Sequence, residues 1–365
     1  CRHPPRERTP RRPAHRPGFC MSPQAKPKFK NPRANHNFQG RTVSIAGVGA
    51  YVPAKALTNF ELEKIVETTD EWITSRTGIK ERRIAAKDEF TSDLASKAAL
   101  RAMKSAGVTA DQIDLIIVAT ISPDMVFPST ACLVQEKLGA KRAAAFDLEA
   151  ACSGFIYGLE IGQQFIMSRT YDTVLVIGAE KLSSIVDWQD RNTCVLFGDG
   201  AGAVILQNRP DSHGLLTAVM GADGAKSELL YMPGGGSRCP ATAQSVMSRL
   251  HFLRMEGKET FKHAVQAMVS AATEALRRCD LDIAKIKCII PHQANRRIID
   301  AVGDRLGARP DQLFCNLDRY GNTSSASVPI ALDEAVRMGK VKRGDRLLFC
   351  ALGAGLAWGA TVVRF

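Results

Sequence analysis

One regularity limits the fold before composition is considered: a long stretch of the chain occurs twice. The segment LASKAALRAMKSAGVTADQIDLIIVAT has the helix-then-strand pattern of AVQAMVSAATEALRRCDLDIAKIKCII, and the strand that follows, DTVLVIG, resembles DRLLFCA. Asp114 matches Lys287 and Asp172 matches Asp345, each pair 173 residues apart. Any two βα units look somewhat alike, but two strands that share one offset point to an internal duplication. From Thr42 onward short apolar runs alternate with helical patterns, the signature of an α/β protein. The expected halves are residues 41–210 and 211–365, each a mixed sheet covered by helices.

The net charge of +12 would suggest a nucleic-acid partner if it were spread over the fold. It is not. Residues 1–40 hold ten Lys or Arg against the single acid Glu7, so nine of the twelve net charges sit there and the body carries only +3. That segment is rich in Arg and Pro with no hydrophobic period, and is expected to be a disordered basic tail. The chain starts at Cys1 and Met21 is the first plausible initiator, so residues 1–20 read as upstream sequence. A transit peptide, implying a plastid, is the rival reading, but Ser22 is the only serine in the first 40 residues. No window approaches the roughly 18 to 20 uncharged apolar residues that cross a bilayer. The ten cysteines form no CxxC pair or Cys/His cluster at zinc spacing, so neither a metal site nor a disulfide framework is expected and a cytoplasmic location is.

The chemistry concentrates in four places. AAAFDLEAACSGFIYGLEIGQQFIM reads as a strand, a sharp small-residue turn and a helix apolar nearly all round. Cys152 falls at that helix's N-terminal end, where free N–H groups and the dipole are expected to lower the thiol pKa from about 8.5. His292 follows the apolar strand IKCII, at the carboxyl end where open α/β sheets place ligands. Asn322 lies in RYGNTSSASVP, a small polar loop with no packing reason for an amide. Gly353, Gly355 and Gly359 in ALGAGLAWGA allow close backbone approach. FGDGAGAVIL lacks the placement of a phosphate loop and reads as strand-edge packing. Each feature alone has a structural explanation, a buried cysteine, a hydrogen-bonding His or Asn, a tight turn; together they form a constellation.

From Thr42 to Phe365 the sequence resembles the β-ketoacyl-acyl-carrier-protein synthase III family of thiolase-like condensing enzymes, through DEWITSRTGI, FPSTACLVQ, EAACSGF, DRNTCVLFGDGAGA, PHQAN, YGNTSSASVP and GLAWG. The resemblance implies a thiolase fold, duplicated halves in a five-layer αβαβα sandwich, working as a homodimer. It assigns catalysis to Cys152, His292 and Asn322 and an oxyanion hole to the backbone N–H groups of Cys152 and Ala354, where some members have glycine. Trp72, Arg76 and Arg191 match positions that hold coenzyme A, Phe261 and Asn295 match its pantetheine tunnel, and Phe127 matches a residue entering the partner subunit's acyl pocket. Lys262, Arg296, Arg297 and Arg305 are expected to form a docking patch for an acidic acyl carrier protein, with Asp300 and Asp304 close enough in sequence to pair with them. Extra residues in GGGSRCPATAQSVMSR, near the pocket mouth, bear on the choice of primer.

The implied reaction joins a short acyl-CoA, acetyl-CoA first among candidates, to a malonyl-thioester. Coenzyme A is a substrate here, and no cofactor is expected. Cys152 takes the acyl group, and His292 with Asn322 stabilises the enolate formed as carbon dioxide leaves. Rivals are a related Cys-His-Asn enzyme making a polyketide, alkylquinolone or long-chain ketone, a papain-like hydrolase, and a nucleic-acid binder using the basic tail. A thiolase proper would want a second cysteine between Gly353 and Gly359, where there is none.

Overall fold

A computed structural model describes residues 41–209 and 214–365; the expectations for the basic segment 1–40 fall outside these residues. The first mixed sheet consists of β1 (Val43–Tyr51), β2 (Leu115–Ala119), β3 (Ala144–Leu148), β4 (Thr173–Glu180) and β5 (Gly200–Asn208), in the spatial order β1-β5-β4-β2-β3. The second consists of β6 (Gly214–Ala222), β7 (Cys288–Pro291), β8 (Arg346–Gly353) and β9 (Ala357–Arg364), in the order β6-β9-β8-β7. Both orders run through two antiparallel pairs and then a parallel one, β4 with β2 in the first sheet and β8 with β7 in the second. Strands β2 and β7 start 173 residues apart, and β4 and β8 both start and end 173 apart. The repeat in the sequence is therefore an offset between spatially equivalent strands.

Side-chain alternation along these strands explains the layering. Leu115, Ile117, Val174 and Val176 of the first sheet share one core with Leu347 and Phe349 of the second. Their neighbours Ile116, Val118, Leu175 and Ile177 turn outward into a second core, and Ile289, Leu348 and Cys350 into a third. Strands β2, β4, β7 and β8 are covered on both faces, which is why they read as continuous apolar runs rather than alternating ones. The covering helices are α1 (Thr91–Ala106), α2 (Thr130–Leu138), α3 (Gly154–Met167), α4 (Gly257–Arg278), α5 (Arg296–Leu306) and α6 (Ser327–Arg337). Residues of α3 and α6 fill the core between the sheets, those of α1 and α2 pack outside the first sheet, and those of α4 and α5 outside the second. The result is the five-layer αβαβα sandwich.

One local expectation needs adjustment. FGDGAGAVIL contributes β5, which is paired on both sides rather than lying at an edge. The GGGSRCPATAQSVMSR stretch holds the short helix Ala243–Met247 and is tied by Arg249 Nε to Asp187 at 2.8 Å. No described helix is long and apolar enough to cross a membrane.

Phe349 is fully buried in the core between the sheets. Phe349→Ala is expected to lower stability by about 3–5 kcal/mol, read as a fall in the urea midpoint, because the surrounding layers cannot collapse onto the space.

Candidate active site

Leaving β3, the chain turns sharply through Ala151 at φ 44°, makes one 3-10 turn over Ala151–Ser153 and enters α3 at Gly154. A positive φ on a residue with a side chain is a strained conformation that the surroundings must enforce. They do so from the other half of the molecule. A Cβ added at Gly353, the last residue of β8, would lie 2.5 Å from the Cys152 backbone nitrogen and 2.9 Å from Ala151 Cβ. Only glycine fits there, and the two halves meet at Cys152. The thiol is buried, at 5% exposure.

The expectation of a lowered thiol pKa is overturned. Burial pushes Cys152 up to about 12, the nearby Glu180 carboxyl pushes it the same way, and the Ser324 hydroxyl only partly offsets them. Loss of water costs the thiolate more than the helix terminus returns in the resting site.

His292 follows the last residue of β7, and its backbone N–H extends the strand pairing by donating to the Cys350 carbonyl at 2.8 Å. Its ring Nδ1 lies 2.7 Å from Ser327 Oγ, which also accepts from the Gln293 N–H at 3.3 Å. An oxygen already accepting from Gln293 has its own hydrogen to give to Nδ1. That favours the imidazole with its proton on Nε2, a donor available to a ligand. Burial lowers the His292 pKa to about 3, so the ring is neutral at any working pH.

Asn322 is fixed at both ends of its backbone, its N–H donating to the Leu196 carbonyl at 2.8 Å and its carbonyl accepting from Gly198 at 3.0 Å. Its side-chain oxygen accepts from the Ser324 N–H at 2.8 Å. The amide NH₂ remains as a donor.

All three residues line one cavity of about 520 Å³. Its walls are apolar, including Phe197, Phe261, Ala264, Met268 and Leu352, and Arg76, Asn295 and Arg297 also line it. A second recess shares Arg76, Met255, Lys258 and Asn295 with it and extends to Trp72. Trp72 and Arg76, four apart on the helix Asp70–Thr77, share a face. The guanidinium carbons of Arg76 and Arg191 lie 5.3 Å and 5.0 Å from the Trp72 ring centre. Asn295 caps α5, accepting from the Arg297 N–H at 2.8 Å and donating to the Arg76 carbonyl at 3.0 Å, so both ends of its amide are engaged. Ala354 lies in the turn between β8 and β9.

Of the remaining expected residues, Arg297 alone lines the cavity. Phe127 is 83% exposed beside the 86% exposed Val126, away from this chain's own cavity lining. Of the basic patch, Arg297 reaches the cavity and stacks on Phe261, at 5.7 Å, while Lys262 and Arg305 are exposed without lining it. Arg296 pairs with Asp300 at 2.8 Å and lines a separate groove that includes Asp304. Sequence reading missed Lys258, which lines both recesses, together with Ser324, Ser327 and Glu180 behind the reacting side chains. The one available signal was an acidic residue ending the otherwise uncharged strand β4.

Neutral burial of His292 has a consequence for stability. Its pKa is near 6.5 when unfolded and about 3 when folded. Between those values the unfolded chain binds a proton that the folded chain does not, so stability rises with pH and is lost as pH falls from 6.5 toward 3, by up to about 1.4 kcal/mol per unit. Urea titrations at about pH 6.5 and about pH 4.5 should show a smaller loss for His292→Gln than for the wild type. Equal losses would mean that the ring is solvated.

Comparison with known proteins agrees with this geometry. Residues 146–224 match the family described as 3-Oxoacyl-[acyl-carrier-protein (ACP)] synthase III, and residues 276–365 match its C-terminal region. The β-ketoacyl-[acyl-carrier-protein] synthase III of Caldanaerobacter subterraneus subsp. tengcongensis is 56% identical over 321 residues, covering 88% of this chain and 97% of the relative. The crystal structure of 3-oxoacyl-[acyl-carrier-protein] synthase III from Aquifex aeolicus has a TM-score of 0.83 at 49% identity, covering 89% of this chain and all of the other. The priming β-ketosynthase of the R1128 polyketide pathway gives the same TM-score at 37% identity, covering 89% and 96%. At half or more of the positions identical over nearly the full length of its relatives, the chain belongs to the β-ketoacyl-[acyl-carrier-protein] synthase III family of condensing acyltransferases.

Proposed function

We propose that the chain condenses a short acyl-CoA, acetyl-CoA first among candidates, with malonyl-acyl-carrier protein, releasing carbon dioxide and starting fatty-acid synthesis. The observation that carries this reading is one largely apolar cavity lined by a buried thiol, a neutral imidazole and an amide with its NH₂ free. The sulfur of Cys152 takes the acyl group, and the backbone N–H groups of Cys152 and Ala354 hold the tetrahedral oxyanion. Malonyl-thioester then places its thioester carbonyl against His292 Nε2–H and Asn322 NH₂, which stabilise the enolate as carbon dioxide leaves. Decarboxylation creates the carbanion without removing a proton. Donors suffice, and a neutral His with an Asn is a sensible pair for the task. No cofactor is called on in any step.

Trp72 between Arg76 and Arg191 suits the adenine and phosphates of coenzyme A, and the apolar passage past Phe261 and Asn295 suits the pantetheine arm. Phe127 and Val126, large and exposed, suit burial against a second copy, where Phe127 would close the partner's acyl pocket. A polyketide-priming role is the second choice, since the identity to that relative is 37% against 56% for the synthase III of C. subterraneus. A cytoplasmic location fits the free thiol chemistry.

Intact mass after acetyl-CoA should show one acetyl group on the wild type, at Cys152, and none on Cys152→Ala. His292→Ala and Asn322→Ala should each lose on the order of 10² to 10³ in malonyl decarboxylation while still accepting the acetyl group. Cys152→Ala should keep some decarboxylation. Loss of acylation in His292→Ala with decarboxylation intact would reverse the role given to His292.

Arg297, Arg305 and Lys262 are proposed as the carrier-protein patch, with Arg296 removed from it by its pairing to Asp300. Reversing Arg297 and Arg305 to Glu should raise KM for malonyl-carrier protein and flatten its salt dependence, with acetylation by acetyl-CoA hardly changed. An equal effect on both substrates would make these residues part of the coenzyme A site.

A further inference from the structure

Cys152 must give up a proton to become a nucleophile, and the groups described so far do not take it. His292 is a poor acceptor, held neutral down to about 3 by burial, with Nδ1 engaged by Ser327. A better one lies behind the thiol. Glu180, the last residue of β4, has no exposed surface. Its Oε2 accepts from Ser122 Oγ at 2.6 Å, the Ile121 N–H at 3.1 Å and Thr120 Oγ1 at 3.2 Å. Its Oε1 faces Ser325 Oγ at 3.0 Å.

The turn that carries Ser324 packs against both the Cys152 turn and the strand that ends in Glu180. The Ser324 hydroxyl is buried with no hydrogen-bond partner in the resting geometry, and its nearness lowers the pKa of both groups. Ser324 is held at φ 48°, and a Cβ added at Gly178 on β4 would lie 2.3 Å from the carbonyl oxygen of Ser325. The turn is clamped against the strand that carries Glu180. We propose that Glu180 is the proton acceptor for Cys152, reached through the Ser324 hydroxyl.

The surroundings of Glu180 suit either protonation state. Ser325 Oγ lies 2.8 Å from the Ala119 carbonyl as well as 3.0 Å from Oε1, yet a hydroxyl has one hydrogen to give. With Glu180 ionised, Ser325 donates to Oε1. With Oε1 protonated, Ser325 donates to Ala119 and accepts from Glu180. No heavy atom has to move. Burial raises the carboxyl above its ordinary range, toward the pH at which a base works best. Of the neighbouring charges, Lys181 turns its ammonium onto the Ala86 and Glu89 carbonyls, and Asp199 is engaged by Ser183 and the Ala85 N–H. The titratable group that shares the Ser324 turn with Glu180 is Cys152 itself.

The protons balance over a turnover. The Cys152 S–H bond breaks as an O–H bond forms on Ser324, whose own proton passes to Glu180. The thiolate bonds to the acyl carbon, the bond to coenzyme A sulfur breaks, and that thiolate takes a proton from solvent. In the second half-reaction the enolate carbon bonds to the acyl carbon, the bond to Cys152 sulfur breaks, and the thiolate recovers its proton from Glu180 through Ser324.

This inference rests on Cys152 as the acylated residue, and the test separates the two. Single-turnover acylation of Cys152 by acetyl-CoA would be followed by mass against pH for the wild type, Glu180→Gln and Ser324→Ala, with malonyl decarboxylation measured alongside. Wild-type acylation should fall as pH drops through an ionisation above the ordinary carboxylate range, because the base must be ionised. Both variants should acylate on the order of 10²-fold more slowly, lose that ionisation and recover only as the thiol itself ionises at high pH. Acylation and decarboxylation falling together would make Glu180 a structural residue and overturn the proposal. Wild-type rate and pH profile in either folded variant would overturn it too. A wild type acetylated elsewhere than at Cys152 would remove the nucleophile on which it stands.

Discussion

The segment Asn322–Ser327 is where the two halves of the molecule are joined, and the arrangement of the site depends on how it is held. Its first residue is locked by backbone bonds to Leu196 and Gly198. Ser325 reaches into the first half, to Ala119 and Glu180, and Ser327 reaches the ring of His292 at the end of β7 in the second. Six residues thereby fix a donor amide, orient a donor imidazole and press a turn against the strand ends beside the thiol. Small side chains are needed because the segment passes within van der Waals limits of β4, where only glycine fits at position 178. Serine is small and still carries a hydroxyl, which accounts for the run TSSAS.

Burial makes this junction effective. Taken out of water, both the thiolate and the imidazolium become costly, so the resting site contains a thiol pushed up to about 12 and an imidazole pushed down to about 3. Neither of these two groups carries a charge in the resting site. Fixed hydrogen-bond donors in such surroundings act on developing negative charge far more strongly than they would in water, and they need no reorganisation at the moment of reaction. In the proposed reaction a charged His292 would attract the malonyl carboxylate and oppose its departure as carbon dioxide, whereas a neutral one would act only as a hydrogen-bond donor to the enolate.

Much of this was legible in the sequence, and what was not has a physical reason. The 173-residue offset located equivalent strands because strand β4 and its counterpart β8 have the same length and alternate between the shared central core and an outer one. Cys152, His292 and Asn322 stood out because each interrupts a pattern: a small-residue turn, the end of an apolar strand, an amide among small polar residues. The direction of the Cys152 pKa was misread because a helix terminus is visible in one segment, whereas dehydration depends on β8 and the Asn322–Ser327 turn closing over it from the other half. Arg296 was grouped with Arg297 by adjacency, yet neighbours on a helix point about 100° apart, and only Arg297 turns toward the cavity. Glu180 and Ser324 were missed because their meaning lies in contact across segments more than a hundred residues apart.

In the proposed reaction both thioester arms, one from coenzyme A and one from a carrier protein, reach Cys152 through the cavity that it lines with His292 and Asn322. Storing the acyl group on the protein lets the two arms use that cavity in turn, which is what a covalent intermediate offers here. Storage on sulfur keeps the acyl carbon electrophilic, since a thioester is replaced by a thioester. The walls around Cys152, among them Phe197, Phe261, Met268 and Leu352, are apolar. In the proposed reaction they set the stored acyl group among side chains that offer no competing nucleophile, which favours condensation over hydrolysis.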